Sequence, residues 1–217
     1  MMRSILSYFF LIVFLAVCQF EAKGQLQLGA KAAYSLSFAR SSFLLFEDSD
    51  DLLNYEIIFF EEDIRPLYGL MGYYEQGKVY VQLETMYKQS RSRFSAIDWS
   101  TIDRTTYNET KVTHFLVVPC LAGYRLENFK LGMGPIFSFI LDENTLFEAI
   151  PEFTERRRNL ETGVSMNVGL KLQRLHIDVN YELHFNKVAD FVVFKQAQSG
   201  FAQSPGFFTL GMSYLFF

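Results

Sequence analysis

Alternation of apolar and polar residues constrains the fold of this chain more than any other feature of its sequence. The clearest alternating segments are residues 26–38, 79–89, 162–172 and 175–185. In the last of them Leu175, Ile177 and Val179 are separated by single polar residues. Because successive side chains of a strand point to opposite faces, each segment predicts a β-strand with one apolar and one polar face.

Further strands are predicted where the alternation is less regular. They span residues 65–75, 112–126, 129–141 and 207–217. Pro66, Pro119 and Pro135 lie in or beside three of these segments, and proline is tolerated in sheets at strand starts, bulges or edges. The alternation alone does not assign the inward face of residues 65–75.

The connections between these strands alternate strictly between short and long. Tight turns are expected at 75–78, 127–128 and 173–174. Long polar connections are expected at 39–63, 90–111, 142–160 and 186–206. Short periplasmic turns and long extracellular loops are typical of outer-membrane barrels. The sequence therefore predicts an all-β fold, an eight-stranded antiparallel up-and-down transmembrane β-barrel over residues 25–217, with both termini in the periplasm.

The first residues have the pattern of a secretory signal peptide. Arg3 precedes an apolar run at 5–17 that is too short to span a bilayer as a helix. Ala22-Lys23-Gly24 fits a cleavage site, which predicts a signal peptide at 1–24. Processing as a lipoprotein at Cys18 is the alternative, although Val17 stands where a small residue is expected. Cleavage after Gly24 leaves Cys120 as the single thiol of the mature chain.

The alternation fits both a membrane barrel with apolar residues outward and a soluble, lipocalin-like barrel with apolar residues inward. Several aromatic residues fall near predicted strand ends, as in interfacial girdles, and favour the membrane barrel. These residues are Tyr34, Phe38, Tyr87, Tyr124, Phe185 and Tyr214. The polar faces carry both signs of charge, so they can pair inside a lumen. The polar residues are Lys31, Gln82, Glu84, Lys88, Asn167, Lys171, Asp178, Asn180 and Glu182.

Two neighbouring segments resemble a known family. Residues 116–126 (LVVPCLAGYRL) contain a mid-strand proline, and residues 129–135 (FKLGMGP) follow after a short turn. Together with the first strand, 25–32, and the last, 210–216, they resemble the PorT-like outer-membrane β-barrel family of Bacteroidetes. The resemblance implies a location in the cell outer membrane and a place in a secretion or gliding assembly. These barrels usually end on an aromatic residue that the assembly machinery reads, whereas here Phe217 follows the in-phase Tyr214 and Phe216.

The residues that could carry chemistry form no recognisable motif. His114 and His184 are expected near the extracellular rim and His176 near the periplasmic end, but no spacing ties a serine to any of them. An acidic stretch could bind calcium, yet it lacks the glycine and closing glutamate of an EF-hand loop, so a solvated loop is preferred. It comprises Glu47, Asp48, Asp50, Asp51, Glu56, Glu61, Glu62 and Asp63. We expect no catalytic residues, metal or cofactor.

Two other segments suggest contacts outside the membrane. Arg156, Arg157 and Arg158 could contact lipopolysaccharide phosphates or the acidic stretch, with ordinary solvation as the simpler interpretation. The apolar clusters at 43–46 and 57–60 either extend the neighbouring strands above the bilayer, which we prefer, or dock onto another protein.

An eight-stranded barrel has an interior that its own side chains can fill. We therefore expect a non-enzymatic structural or binding protein that acts through its extracellular loops. A lipid-modifying enzyme and a soluble lipid-binding barrel are the alternatives. Expected partners are outer-membrane lipids, the barrel assembly machinery and a protein bound by the first extracellular loop. The formal net charge of -4 without a basic segment argues against nucleic acid.

The chain should be recovered with outer membranes and should migrate differently on gels before and after boiling. A closed barrel keeps its hydrogen-bonded sheet in detergent until it is heated, whereas a soluble barrel would be released with the periplasm. Membrane fractionation followed by electrophoresis of boiled and unboiled samples measures both properties. Recovery in the soluble fraction without a mobility change would contradict the membrane prediction.

Overall fold

A computed structural model describes residues 25–37, 42–47, 53–64, 66–99, 105–144, 153–156, 159–185, 191–194, 197–199 and 206–216. The predicted signal peptide at 1–24 lies outside these residues, as do Phe38 and Phe217. The strands are β1 Gln25–Ser37, β2 Ser42–Glu47, β3 Leu53–Ile64, β4 Leu67–Gln76, β5 Val79–Asp98, β6 Thr106–Leu126, β7 Phe129–Glu143, β8 Phe153–Arg156, β9 Leu160–Leu172, β10 Leu175–His184, β11 Phe191–Phe194, β12 Ala197–Ser199 and β13 Gly206–Leu215. No helix among the described residues is long and apolar enough to cross a membrane.

Eight of these strands form a closed antiparallel ring. Its order is β1, β4, β5, β6, β7, β9, β10 and β13, and β13 pairs with β1 to close it. Two-residue turns join β4 to β5, β6 to β7 and β9 to β10, and the first residue of each has positive φ: 63° at Gly77, 54° at Glu127 and 57° at Gln173. The predicted up-and-down barrel and its three tight turns are confirmed.

The barrel wall is much taller at β5 and β6 than elsewhere. These strands have 20 and 21 residues, whereas a crossing strand needs about 9–11. The upper half of β5 pairs with β3, from Ser90 opposite Ile64 to Asp98 opposite Tyr55, and β3 pairs with β2. The clusters at 43–46 and 57–60 therefore extend the sheet as strands, as preferred above.

The long polar connections that the sequence predicts contain strands over much of their length. Residues 90–98 and 106–111 continue β5 and β6, and β2 and β3 occupy much of 39–63. Strands β8, β11 and β12 form a second, three-stranded sheet within the other two connections. Residues 90–93 and 106–111 are mostly polar on both faces, so they read as loops although cross-strand pairing supports them.

Apolar side chains cover the outside of the ring, and polar ones line its lumen. Leu26, Leu70 and Leu210 are exposed to 61 %, 65 % and 60 %, whereas Asn167 and Asp178 are exposed to 2 % and 0 %. A soluble barrel needs the reverse arrangement. The exterior suits lipid, so the lipocalin-like alternative is excluded.

Apolar clusters fill part of the lumen. Strand β4 points Leu67, Met71 and Tyr73 inward, which settles the face that its sequence leaves open. One cluster is Ala33, Leu67, Met86, Phe115, Val117 and Ile136, and the other is Met71, Tyr73, Tyr80 and Leu215. The first lies toward the extracellular end and the second toward the periplasmic end.

Two prolines interrupt the hydrogen-bonded ladder without shifting its register. Pairing between β5 and β6 skips from Leu83–Cys120 to Met86–Val117, beside Pro119. Pairing between β6 and β7 skips in the same way beside Pro135. Because proline has no N–H group, a ladder bond is lost at each site. Both prolines thus stand where no ladder bond is made, although neither site is a bulge or an edge, and Pro66 directly precedes the first residue of β4.

Replacing Leu210 with arginine should destabilise the folded barrel by about 2–4 kcal/mol, because the side chain points to lipid in the middle of β13. Arginine at Phe216, near the periplasmic interface, should cost only about 0–1 kcal/mol and serves as the matched control. Equilibrium unfolding in lipid vesicles measures both. Equal costs at the two positions would contradict the proposed depth of Leu210.

Candidate functional site

Four charged side chains meet inside the lumen and form what we call the charge layer: Lys31, Glu84, Lys130 and Asp178. They come from β1, β5, β7 and β10, which are every second strand around the ring, so positive and negative charges alternate. Lys31 Nζ lies 2.5 Å from Glu84 Oε1 and 3.5 Å from Asp178 Oδ2. Lys130 Nζ lies 2.6 Å from Asp178 Oδ1. The layer is neutral as a whole.

Neutral polar groups complete the charge layer. Lys130 Nζ donates to Gln82 Oε1 at 2.8 Å, and the Gln82 amide donates to Glu84. His176 Nδ1 lies 3.3 Å from Lys130 Nζ on the periplasmic side. The four charged side chains are at most 3 % exposed. At this level the lumen is closed by its own side chains.

A second set of hydrogen bonds crosses the lumen beside the charge layer. The Asn167 amide donates to Asn180 Oδ1 at 2.5 Å, and the Tyr80 hydroxyl donates to Asn167 Oδ1 at 3.2 Å. These contacts join β5, β9 and β10. Buried polar groups are costly unless they are bonded, and this network satisfies several of them together.

Glycines in the wall make room for the two buried lysines. A Cβ atom at Gly211 would lie 2.7 Å from Lys31 Cε, and one at Gly169 would lie 2.6 Å from Lys130 Cε. Glycine inside a strand often marks a place where another group approaches closely. At Gly211 the approaching group is the stem of Lys31, and at Gly169 it is the carboxylate of Asp178, at 2.3 Å, together with the stem of Lys130.

The alternation of β10 predicts most of its contribution to the lumen. Its inward face carries His176, Asp178, Asn180, Glu182 and His184, all at most 6 % exposed. Lys130 is a functional residue that the sequence analysis missed. The signal for it was present, because Lys130 stands between Phe129 and Leu131, which both point outward.

The histidines lie at the predicted heights but in different environments. His184 faces the lumen near the extracellular end, and its ring nitrogens lie 3.8 Å from carboxylate oxygens of Glu161 and Glu182. His114 faces outward and shares a hydrogen bond with the Tyr87 hydroxyl. His176 lies inside the lumen near the periplasmic end, beside Lys130.

Hydroxyl groups lie close to the His184 cluster. Thr209 Oγ1 is 3.2 Å from Glu182 Oε1 and 3.0 Å from Ser35 Oγ, and all three residues are buried. The ring of Phe207 meets His184 edge-on, and Lys88 Nζ lies 4.0 Å from the centre of the Phe207 ring. The structure thus brings His184 together with acids and hydroxyls, all within the lumen.

The periplasmic end of the lumen has its own ionic cluster around Glu75. Arg125 Nε and Lys171 Nζ lie 2.7 Å and 2.8 Å from its two carboxylate oxygens. The Tyr73 hydroxyl donates to the same carboxylate at 2.9 Å. These contacts tie together β4, β6 and β9 where the lumen reaches the periplasm.

The acidic stretch and the arginine run are only partly described. Asp48, Asp50, Asp51, Arg157 and Arg158 lie outside the described residues. On β3, Glu61 stands opposite Arg93 of β5, and Asp63 stands opposite Arg91. Within the described part of the chain, no group of three or more His, Cys, Asp or Glu residues could hold a metal ion.

Neither a protein-family model nor a curated protein matches the sequence. Among solved structures, the fold is similar to that of the outer membrane protein AlkL, which was determined by solid-state NMR in lipid bilayers. The TM-score is 0.51 and the sequence identity is 10 %, and the alignment covers 88 % of this chain and 90 % of AlkL. The outer membrane protease OmpT from Escherichia coli aligns with a TM-score of 0.37 and 11 % identity over 89 % and 96 %. The chain has an outer-membrane β-barrel fold, and its apolar exterior agrees with a location in the outer membrane.

Replacing Asp178 with alanine should destabilise the barrel by about 3–5 kcal/mol, because Lys31 and Lys130 would lose a shared carboxylate in a buried site. Ser213 is the control, since it is also buried in the lumen and its hydroxyl has no hydrogen-bond partner among the described residues. Ser213→Ala should change stability by about 1 kcal/mol or less. Similar unfolding midpoints for the two variants would contradict a structural role for the charge layer.

Proposed function

We propose that this chain is a non-enzymatic outer-membrane barrel that binds another protein through the sheet it raises above the membrane. The observation that carries the proposal is the height of β5 and β6, which have about twice the length needed to cross the bilayer. The upper part of β5 pairs with β3, which in turn pairs with β2.

The raised sheet is packed rather than loose. On the face of β5 that continues the lumenal face, Phe94 and Ala96 are 5 % and 0 % exposed. Ile57 of β3 stands opposite Ala96 and is also buried. A packed scaffold holds its exposed groups in a defined geometry, which lowers the ordering cost of binding. Leu45 of β2 is 44 % exposed and offers an apolar contact on this sheet.

The finer proposal is that the partner belongs to a secretion-related or gliding complex. It is supported by the strand patterns around Pro119 and Pro135 and at the first and last strands, which resemble the PorT-like family of Bacteroidetes. The charge layer supports a structural role for the membrane part, because it closes the lumen at its own level.

A lipid-modifying enzyme is the second candidate, and the cluster of His184, Glu182 and Thr209 favours it. Acid, imidazole and hydroxyl groups lie near one another there, as nucleophilic catalysis requires. All three side chains are buried in the lumen, so a lipid would have to enter the barrel to reach them. Release of fatty acid by the purified protein, lost in His184→Ala, would favour this candidate over binding.

A photo-cross-linking amino acid placed at Leu45 should give one discrete protein adduct in intact cells, because this side chain is exposed on the raised sheet. The same label at Leu210 is the control, since that side chain points to lipid. Electrophoresis and mass spectrometry of the adduct identify the partner. Absence of any adduct at Leu45 in cells that contain the folded barrel would contradict the binding role.

A further inference from the structure

We propose that the lumen has a second, ion-conducting state in which the charge layer separates and admits water with small inorganic ions such as potassium and chloride. In the structure the layer closes the lumen, and the binding role proposed above does not depend on the conducting state.

The charge layer is an expensive way to fill a lumen. Burying charges costs free energy that their mutual attraction often fails to recover, and apolar side chains of similar volume fill such a space at least as well. The same barrel does this toward its extracellular end, with Leu67, Met86, Phe115, Val117 and Ile136. A charged layer differs from an apolar one because each of its groups can exchange its partner for water.

The alternating geometry of the charge layer already contains a partner exchange. Lys31 lies between two carboxylates, close to Glu84 and within 3.5 Å of Asp178. Lys130 holds Asp178 from the other side at 2.6 Å. If Lys31 moves fully to Asp178, its contact with Glu84 is lost, and Glu84 keeps the hydrogen bond from Gln82. The rearrangement breaks one of the ion pairs across the lumen while each charge keeps a polar partner.

A polar wall runs along one side of the lumen through the level of the charge layer. It is formed by lumenal residues of β1, β9, β10 and β13, whereas most of the apolar cluster belongs to β4, β5, β6 and β7. Beside Lys31 and Asp178, its polar residues include Asn167, Asn180, Thr209 and Ser213. Water that separates the layer would therefore find hydrogen-bond partners toward both ends of the barrel.

Single-channel recording in planar bilayers tests the conducting state, with a potassium chloride gradient across the membrane. The wild-type protein should show brief, rare openings. Lys31→Ala and Glu84→Ala should each raise the mean current at least tenfold, because each removes the contact between these two residues. The reversal potentials of the two variants should have opposite signs. Lys31→Ala leaves the layer net negative and selects cations, whereas Glu84→Ala leaves it net positive and selects anions.

Two further variants keep the test decisive. The double variant Lys31→Met with Glu84→Met replaces the pair by apolar side chains of similar length and should abolish the openings. Ser165→Ala, a lumenal change that stands opposite Glu182 and Gly134 and opposite no member of the charge layer, should behave as wild type. Each protein is first shown to be folded by its gel mobility before boiling.

Absence of channel openings in the folded wild-type, Lys31→Ala and Glu84→Ala proteins would overturn the proposal, as would reversal potentials of the same sign for the two variants. Cross-linking at Leu45 is unaffected by either result, so the binding role is tested separately.

Discussion

The structure depends on one constraint, which is that every backbone N–H and C=O group inside a bilayer needs a partner within the protein. A sheet meets this requirement only when it closes on itself, and pairing of β13 with β1 removes the last free edge. The same closure fixes the alternation of side chains, because one face of every strand must meet lipid and the other the lumen. Ladder bonds are lost at Pro119 and Pro135. The strands pair in the same register on both sides of each proline, so the loss stays local.

Closure also creates the space that the charge layer occupies. The lumen of a small barrel is narrow enough for side chains from different strands to meet, and long side chains reach furthest across it. Lys31 and Lys130 do so over Gly211 and Gly169, where the wall has no side chain to obstruct their stems. Because lysines and acids alternate on every second strand, each charge has opposite charges on both sides. The charge layer is thus neutral although all four of its charged side chains are buried.

Alternation predicted the strands and most of the lumenal residues, since both follow from a local two-residue period. The short and long breaks between the alternating segments predicted the tight turns and the up-and-down ring. Alternation could not predict which polar residues meet. The contact of Lys31 with Glu84 depends on the relative heights of β1 and β5, and these are set by pairing through β4. The continuation of β5 beyond residue 89 was missed, because Ser90, Ser92 and Arg93 resemble a loop until β3 and β6 pair with them. The inward face of β4 likewise needed the register to its neighbours.

The two proposed activities of this barrel meet on a single strand. Strand β5 carries Glu84 at the level of the charge layer and, further along, Phe94 and Ala96 in the raised sheet. A paired strand is stiff along its length, so a displacement of the raised sheet acts on Glu84 more directly than on Lys130 or Asp178, whose strands do not pair with β3. Glu84 is also the acid that loses Lys31 in the proposed rearrangement. Coupling of the two sites would require that the raised sheet and Glu84 move together as one element with two arrangements, and β5 is the strand that connects them.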